Sequence, residues 1–403
     1  MFNMIQQKEP SGFTPKDAPS GSFETWAEIN LDNLSHNIKL LKKNIGSSEI
    51  MAILKANAYG LHAPIIFRHL KEIGIRYFGV ANVREALQLR GIDADASIMV
   101  LGNVHPRFIS KAIQNKLTLT VFSPEFWQIL KQFLTAPLKI HIKLNTGFNR
   151  LGFSCGKESV NIIKEICTHP MIRCEGIFTH LALGSAENDL AQFKLFTSMI
   201  SMLEAEGLAF PIKHIADSNA AVTYPWARLN LIRAGSAMYG LKASYPGFEE
   251  LDLKGVYKIK SSVAQVRSVL KGEGISYDYD YRASKDMRIA AITLGYGDGY
   301  PRNIKSENAF VIIRGQKAAL VGAVCMDYCI VDVSSIPDAE INDEVLVYDT
   351  DLSSLVSPPV VAGFAGMSKN SSFTSLTARV PKVYIKDGKR FALEPLSGSI
   401  EEL

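Results

Sequence analysis

Several residues that can bind an anion, capture a carbonyl or move a proton directly follow apolar, strand-like runs of the chain. Lys55 follows two apolar residues in "ILKANAYG", His180 ends "CEGIFTH", and Arg233 lies in "NLIRAG". A lysine in such a place is unusual, because burial destabilises its charged ammonium form. We therefore expect a chemical role for Lys55, such as holding a carbonyl compound through its amine.

Hydroxyl-bearing and small residues follow two other runs. Ser218 lies near the end of "KHIADSN", and Gly235 and Ser236 follow Arg233. Backbone N–H groups and a hydroxyl in such turns suit a phosphate dianion. A further run, "KIHIKLN", leads through a tight "TGFN" turn to Arg150.

Taken singly, these residues have ordinary structural explanations, which the sequence leaves open. Lys55 could extend from a rim into solvent, and His180 could be a hydrogen-bonded core histidine. Arg150 and Arg233 could pair with carboxylates of loops. Ser218 could cap a helix.

A shared site requires elements that bring the ends of several strands together. Strand-like runs alternate with helical segments between about residues 25 and 245, and the first helix, "LDNLSHNIKLLKKNI", has one apolar stripe. The runs are "IMAILKAN", "RYFGVANV", "SIMVLGNV", "LTLTVFS", "KIHIKLN", "CEGIFTH", "KHIADSN" and "NLIRAG". Eight strands in this alternation predict an α/β fold, a (β/α)8 TIM-type barrel. A doubly wound sheet is the alternative, but no GxGxxG follows the first strand.

The barrel places these polar residues at one end, because the carboxyl ends of its strands surround the active site. Ser218 and the Gly235–Ser236 turn then follow strands seven and eight, where barrels often bind phosphate. Lys55 follows strand one on the same rim. A lysine and a phosphate site together predict pyridoxal 5′-phosphate, a carbonyl cofactor that a lysine normally holds.

The fifth run has one polar face. In "KIHIKLN", three apolar residues alternate with Lys139, His141, Lys143 and Asn145. We expect this face to point at a functional group inside the barrel, and a solvated sheet edge is the alternative.

The residue pattern of the chain changes from alternating strand and helix segments to β-rich runs after about residue 254. Runs such as "VYKIKSSVAQVRSVL", "AFVIIRG" and "DEVLVYD" are β-rich and bounded by Gly, Pro and Asp. We predict three segments: a flexible N-terminal tail at 1–23, a cofactor-binding barrel at 24–250 and an all-β domain at 251–403.

Composition narrows the classes of partner. The chain of 403 residues has a net charge of +4 without a dense basic block, so we expect neither nucleic acid nor a membrane as partner. Its five cysteines form no CxxC pair, and the N-terminus lacks an apolar signal core. We therefore expect a reduced, cytoplasmic protein without a metal site.

The chain resembles the alanine racemases, PLP-dependent enzymes with a barrel and a β-domain. The resemblance runs from about Thr25 to about Tyr384. Nine motifs carry it, in the order of the family: "AILKANAYG", "LNTGFNRLGF", "FTHLA", "DSNAA", "IRAGSAMYG", "GISYDYDYRA", "GYGDGYPR", "VCMDY" and "ARVPKVY".

The resemblance implies a role for each site residue in the barrel. Lys55 would hold the cofactor as a Schiff base and act as one catalytic base, and His180 would stack beside the ring. Arg233 would contact the pyridine nitrogen, and Arg150 the phenolic oxygen and the substrate carboxylate. The phosphate would contact four residues: Tyr59, Ser218, Gly235 and Ser236.

The resemblance also implies an assembly. Tyr277 would be the second base, contributed across the interface of a homodimer, and Met326 and Asp327 would line the shared site. The enzyme would interconvert L-alanine and D-alanine by this two-base mechanism and supply D-alanine for peptidoglycan.

Three positions depart from the usual family pattern: Asn145, Ala378, and Asp278, since "YD" follows Ser276 where "YG" is common. Lys143 matches a lysine that is often carbamoylated, but Asn145 stands nearby where many members have Asp. Ala378 falls where some members have a tyrosine that narrows the pocket, which suggests a side activity on serine.

Two other functions remain open on the sequence. One is a decarboxylase of the same architecture, although such enzymes use a carboxylate at the pyridine nitrogen where this chain has "IRAG". The other is a PLP-binding carrier or homeostasis protein, which would lack the β-domain.

Overall fold

The computed structural model describes residues 24–304, 308–393 and 400–402, which form two compact units. One unit comprises Leu31–Val256 and Thr350–Ser354. The other comprises Tyr257–Asp349 and the described parts of Met1–Asn30 and Leu355–Leu403. The predicted tail at 1–23 lies outside the described residues, and the predicted boundaries of 24–250 and 251–403 stay predictions.

Strands and helices are numbered in chain order. The strands are β1 (Thr25–Asn30), β2 (Glu49–Ile53), β3 (Tyr77–Val80), β4 (Ser97–Val100), β5 (Thr118–Val121), β6 (Leu138–Asn145), β7 (Phe153–Ser154), β8 (Ile172–Phe178), β9 (Ile212–His214), β10 (Leu231–Ala234), β11 (Tyr257–Val269), β12 (Gly274–Ile275), β13 (Tyr281–Arg282), β14 (Met287–Ile292), β15 (Phe310–Ile313), β16 (Gln316–Leu320), β17 (Cys329–Asp332), β18 (Glu344–Asp349), β19 (Lys382–Lys386), β20 (Lys389–Leu393) and β21 (Ile400–Glu402). The helices are α1 (Leu31–Ile45), α2 (Lys55–Tyr59), α3 (Ala63–Glu72), α4 (Val83–Arg90), α5 (Ile109–Gln114), α6 (Pro124–Leu130), α7 (Lys157–Thr168), α8 (Ala186–Ala205), α9 (Ser218–Thr223), α10 (Pro358–Phe364) and α11 (Lys369–Thr374).

The first unit is a parallel barrel that is nearly closed. Its strands pair in the order β10-β2-β3-β4-β5-β6-β8-β9, and a bridge between Asp217 and Arg233 joins the two ends. The eight strands coincide with the eight predicted runs, so the barrel prediction is confirmed. Apolar residues that include Met51, Met99 and Phe178 fill one cluster of its core.

Helix α1 shows why the helical segments lie on the outside of this barrel. Its predicted apolar stripe, from Leu31 to Ile45, is buried at every position with helical spacing. Lys42 and Lys43 occupy its last turn, where positive charge is favourable.

The second unit is built on a ten-stranded sheet with the order β14-β17-β16-β15-β18-β11-β1-β19-β20-β21. All of its pairings are antiparallel except that of β1 with β19. This confirms the predicted β-rich architecture, to which α10 and α11 add two short helices. Strand β1 lies within the range predicted for the barrel but pairs here, with Ala27 opposite Ile259 and Lys382.

No helix in the described part of the chain is long and apolar enough to cross a membrane. Within the same residues, no group of three or more His, Cys, Asp or Glu side chains is arranged to hold a metal ion.

Candidate active site

Lys55 begins a left-handed turn at the carboxyl end of β2. The four residues after it, Ala56, Asn57, Ala58 and Tyr59, all have φ between 51° and 57°. L-residues rarely adopt this conformation, which costs roughly 1–2 kcal/mol per residue. Other contacts must therefore hold the turn in place.

Glu85 in α4 supplies one of these contacts and is itself fixed by a second hydrogen bond. One carboxylate oxygen accepts a hydrogen bond from the N–H of Ala56 at 2.9 Å, and the other accepts from Ala81 at 2.8 Å. Asn57 accepts from the N–H of Ala63 at 2.8 Å, which joins the turn to α3. The turn that follows Lys55 is thus tied to two neighbouring helices.

The environment of Lys55 makes its ammonium easier to deprotonate than that of an ordinary lysine. Burial, followed by the positive charges of Arg233 and Arg150, lowers the pKa of Lys55 to about 8. Glu85 opposes this shift. An amine with this pKa is neutral in a substantial fraction of molecules near neutral pH, as a nucleophile or proton acceptor must be.

Residues after β9 and β10 form a small cradle. The Ser218 hydroxyl accepts hydrogen bonds from the N–H groups of Gly235, at 2.8 Å, and Ala237, at 3.4 Å. The Tyr59 hydroxyl lies so close to Gly235 that a Cβ there would stand 2.6 Å from it. Ser236 opens the 3₁₀ turn at residues 236–239 that follows.

Tyr59 enters this cradle as a neutral phenol. Burial, with a smaller contribution from the negative charge of Asp217, raises the pKa of Tyr59 to about 12. Its ring packs on that of Tyr239, with centroids 5.0 Å apart. A neutral phenol can donate a hydrogen bond to an anion.

Arg233 is 6% exposed and makes four hydrogen bonds inside the barrel. It donates to the carbonyls of Thr179 and Ile215 at 3.0 and 2.8 Å, and to Nδ1 of His180 and of His214 at 3.0 and 2.9 Å. Burial lowers the pKa of Arg233 to about 10, which leaves it charged at neutral pH.

These contacts determine the tautomers of a buried histidine chain. Arginine only donates, so Nδ1 of His214 must accept and its proton lies on Nε2. That Nε2 lies 2.9 Å from Nδ1 of His141, whose own Nε2 faces Glu175 at 3.6 Å. Burial lowers the pKa of His141 and His214, so both rings are neutral. In the chain Arg233–His214–His141–Glu175, each group therefore donates its proton to the next one.

His180 is also a neutral acceptor. Burial, followed by the positive charge of Arg233, lowers its pKa to about 2. The ring of Phe148 packs against it, with centroids 5.0 Å apart, and the Arg150 guanidinium lies over Phe148 at 4.3 Å. Arg150 is exposed at the end of the loop after β6.

The polar face of β6 points into the barrel, as expected from its alternation. Lys143 is 7% exposed, and its Nζ lies 4.4 Å from the centre of the Phe178 ring. Burial and the nearby cations of Arg233 and Arg150 lower its pKa to about 7. Lys139, in contrast, is exposed and pairs with Glu175 at 2.7 Å.

Asn145 shapes the loop that carries Arg150. Its side-chain oxygen accepts from the N–H groups of Gly147 and Asn149 at 3.2 and 3.0 Å, and its amide donates to the Asn149 side chain at 3.0 Å. Gly147 has φ of 133°, a conformation that favours glycine.

Tyr277, Met326 and Asp327 belong to the β-rich unit. Tyr277 is 61% exposed and Met326 is 52% exposed. The segments that carry them touch, because Ser276 donates to the carbonyl of Ala323 at 2.7 Å and lies 3.6 Å from the Cys325 sulfur. The structure therefore brings these residues into one exposed region of this unit.

Arg379 holds the segment that carries Met326. Its guanidinium pairs with Asp298 at 2.8 Å and with Asp327 at 2.9 Å. Asp298 in turn accepts from the N–H of Gly295 at 2.8 Å. Arg379 lies in the motif "ARVPKVY" quoted for the resemblance, but the sequence did not indicate what it contacts.

Sequence reasoning assigned no role to Glu85, Glu175 or His214. A usable signal existed for His214 only: it lies in the run "KHIADSN", four residues before Ser218, and a buried arginine on the next strand requires acceptors. Glu85 and Glu175 are ordinary charged residues in the sequence, and only the fold places them beside the turn and the histidine chain.

Two family models match this chain. Residues 29–243 match the family model described as the N-terminal domain of alanine racemase, and residues 256–384 match its C-terminal domain. The chain is similar to a curated alanine racemase of Clostridium tetani, with 35% identity over 373 residues, which is 90% of this chain and 96% of that protein.

Solved structures show the same likeness. An alanine racemase of Clostridium difficile 630 superposes with a TM-score of 0.87 and 31% identity, covering 93% of this chain and 99% of that one. An alanine racemase of Bacillus anthracis with bound L-Ala-P gives a TM-score of 0.85 and 28% identity, covering 94% and 97%.

Proposed function

The chain belongs to the alanine racemase family and is an isomerase of L- and D-alanine, and we propose that it works with pyridoxal 5′-phosphate and two bases, Lys55 and Tyr277. The observation that carries the proposal is the barrel site itself. A lysine with a lowered pKa stands at one strand end, among cations and a hydroxyl-lined turn.

The donor set fits this cofactor. Four basic side chains, Lys55, Lys143, Arg150 and Arg233, act on one another in the site, as their effects on the pKa of Lys143 show. An anionic ligand would relieve this concentration of positive charge. The cradle of Tyr59, Ser218, Gly235 and Ser236 would hold the phosphate, and Lys55 would hold the aldehyde carbon.

The bound cofactor would supply an electron sink for the pair left on the substrate Cα when its proton departs. Lys55 would accept or return that proton on one face, and Tyr277 on the other. Following the family resemblance, Lys55 serves D-alanine and Tyr277 serves L-alanine. We further propose that Tyr277 comes from the partner in a homodimer, together with Met326.

Arg233 would donate a hydrogen bond to the cofactor ring nitrogen without transferring a proton to it. A guanidinium stays charged at neutral pH, and its other N–H groups are bound to the carbonyls and to the histidines described above. Because His180 and His214 are neutral acceptors, they hold this group in place without competing for its charge. Arg150 would bind the substrate carboxylate and face the phenolic oxygen.

Lys143 is the proposed site of carbamoylation. Carbon dioxide reacts with a neutral amine, and a pKa of about 7 makes that form abundant at neutral pH. The product would carry a negative charge among cations, which would favour it electrostatically.

Three further points complete the proposal. The enzyme supplies D-alanine for peptidoglycan, it is located in the cytoplasm, and it has a side activity on serine.

Borohydride reduction tests the cofactor assignment. The holoenzyme should be yellow, and reduction should fix the cofactor on Lys55. Trypsin would then fail to cut after this residue and release one peptide spanning residues 44–68. Label on a peptide spanning 140–150 would instead identify Lys143 and contradict the assignment.

An activity assay tests the reaction separately. Purified enzyme should form D-alanine from L-alanine without releasing carbon dioxide, and L-serine in parallel tests the side activity. Carbon dioxide release without D-alanine would contradict the proposed mechanism.

A further inference from the structure

The end of α7 and the start of β8 place two cysteines side by side. Cys167 lies in the last turn of the helix, Cys174 lies in the strand, and only residues 169–171 connect the two elements. The connection is tightly folded, since the N–H of Ile172 donates to the carbonyl of His169 at 2.9 Å. Both cysteines are half-buried.

Their sulfur atoms are 2.6 Å apart. This separation is about 0.6 Å longer than a disulfide bond, so bridging requires only a small side-chain adjustment. Two other cysteines meet oxygen atoms instead: the Cys155 sulfur lies 3.6 Å from the carbonyl of Asn145, and the Cys325 sulfur lies 3.6 Å from the hydroxyl of Ser276. Cys329 is buried in the core of the β-rich unit.

We propose that Cys167 and Cys174 form a reversible disulfide when the protein meets a peroxide, so that this pair is a redox modification site. The pair lies outside the candidate active site, and the proposal does not depend on the proposed function. The closed loop would span eight residues, 167–174, and would bind the end of α7 to β8.

The chemistry balances with hydrogen peroxide as the oxidant. One thiol loses its proton, and its thiolate sulfur attacks the peroxide, breaks the O–O bond and becomes a sulfenic acid; the departing hydroxide takes up that proton as water. The second thiol then displaces the sulfenic hydroxyl, forms the S–S bond and releases another water. The neighbouring Cys167 thiol, followed by burial, raises the pKa of Cys174 and so disfavours Cys174 as the first nucleophile. Excess dithiothreitol would return both thiols by exchange.

Peptide mapping of the holoenzyme tests this assignment. After mild peroxide treatment, remaining thiols are alkylated in denaturant and the protein is digested with trypsin without reduction. Trypsin cuts between the two cysteines, after Arg173, so a disulfide should join peptide 165–173 to peptide 174–194. Alkylated cysteines should fall from five to three, and dithiothreitol added before alkylation should restore five.

Two serine variants identify the pair. Cys155→Ser removes a thiol from the same unit and should keep the linked peptides, whereas Cys167→Ser should lose them and keep all four remaining cysteines alkylated. The proposal is overturned if all five wild-type cysteines stay alkylated after peroxide. Linkage between other cysteines, or sulfinic acid at Cys167 without linkage, would overturn it equally.

Discussion

At the scale of single residues, one group of positive charges acts on several amines and rings. Arg233 and Arg150 lower the pKa of both Lys55 and Lys143, and Arg233 also lowers that of His180. Burial is the largest cause in each case. The barrel interior therefore makes both amines easier to deprotonate than in water while the arginines retain their charge, which suits nucleophiles placed beside an anion site.

The reactivity of Lys55 should follow its lowered pKa. In cofactor-free protein, acetylation of Lys55 by acetic anhydride should rise with pH around a midpoint of about 8, well below the ordinary value of 10.5, because only the neutral amine reacts. Arg150→Gln removes a neighbouring cation and should move that midpoint upward. A wild-type midpoint near 10.5, measured by peptide mass spectrometry, would contradict this account of the site.

Cofactor binding should require glycine at position 235, because there is no room for a side chain there. In Gly235→Ala the new Cβ would stand 2.6 Å from the Tyr59 hydroxyl and displace it from the cradle. A hydrogen bond to a charged group is worth about 1.5–3 kcal/mol, so we expect the Kd for pyridoxal phosphate to rise at least about tenfold. Tyr59→Phe should weaken binding to a similar degree in an absorbance titration.

Gly156→Ala is the matched control, because a Cβ there meets no atom within 4 Å and its φ of 179° suits any residue. Equal cofactor affinity in both alanine variants would show that the contact with Tyr59 does not matter for binding.

At the scale of elements, the left-handed turn after Lys55 is strained, and hydrogen bonds to neighbouring elements offset the cost of that strain. Four consecutive residues are left-handed, and two hydrogen bonds hold them, from the N–H of Ala56 to Glu85 and from the N–H of Ala63 to Asn57. The strain gives the chain a sharp exit from β2, which leaves Lys55 at the strand end and returns Tyr59 toward Gly235.

Glycine should therefore be tolerated in this turn better than in a helix. Ala56 is exposed with φ of 51°, so Ala56→Gly should leave the free energy of unfolding unchanged or raise it by up to about 1 kcal/mol. Ala191→Gly, at an exposed position inside α8, should lower it by about 1 kcal/mol. Urea unfolding measures both, and equal destabilisation would refute the strain.

At the scale of the whole molecule, the proposed bases lie in different compact units of the chain. Lys55 belongs to the barrel unit and Tyr277 to the β-rich unit, where it is 61% exposed. Tyr279, Met326 and Tyr328 are also exposed, and aromatic and Met side chains are enriched where proteins contact a partner. The proposed homodimer would complete each site with residues of both subunits.

Subunit mixing tests the shared site. Lys55→Ala and Tyr277→Phe homodimers should each be inactive. After subunit exchange at equal amounts, half of the dimers are mixed and each holds one intact site, so activity should recover to about a quarter of the wild-type value. Failure to recover despite demonstrated exchange would contradict sharing.

A reverse mixture provides the control. When the double variant Lys55→Ala/Tyr277→Phe exchanges with wild type, a shared site leaves the mixed dimers inactive and total activity near a quarter of that of wild type at the same total concentration. Sites contained within one subunit would leave about a half.

The sequence by itself determined the local parts of this protein. Alternating apolar runs predicted the eight barrel strands, and the stripe of α1 predicted its buried face, because these periodicities follow from backbone geometry within a few residues. The same local order placed Lys55, His180, Ser218 and Arg233 at strand ends.

Only the tertiary structure decided the features that depend on distant residues. Strand β1 pairs with β11 and β19, more than 200 positions away, and no local period specifies such a partner. Glu85 and Glu175 gain their roles from what the fold places beside them. The pKa of Lys55 follows from burial and from the field of Arg233 and Arg150, which exist only when the chain has folded.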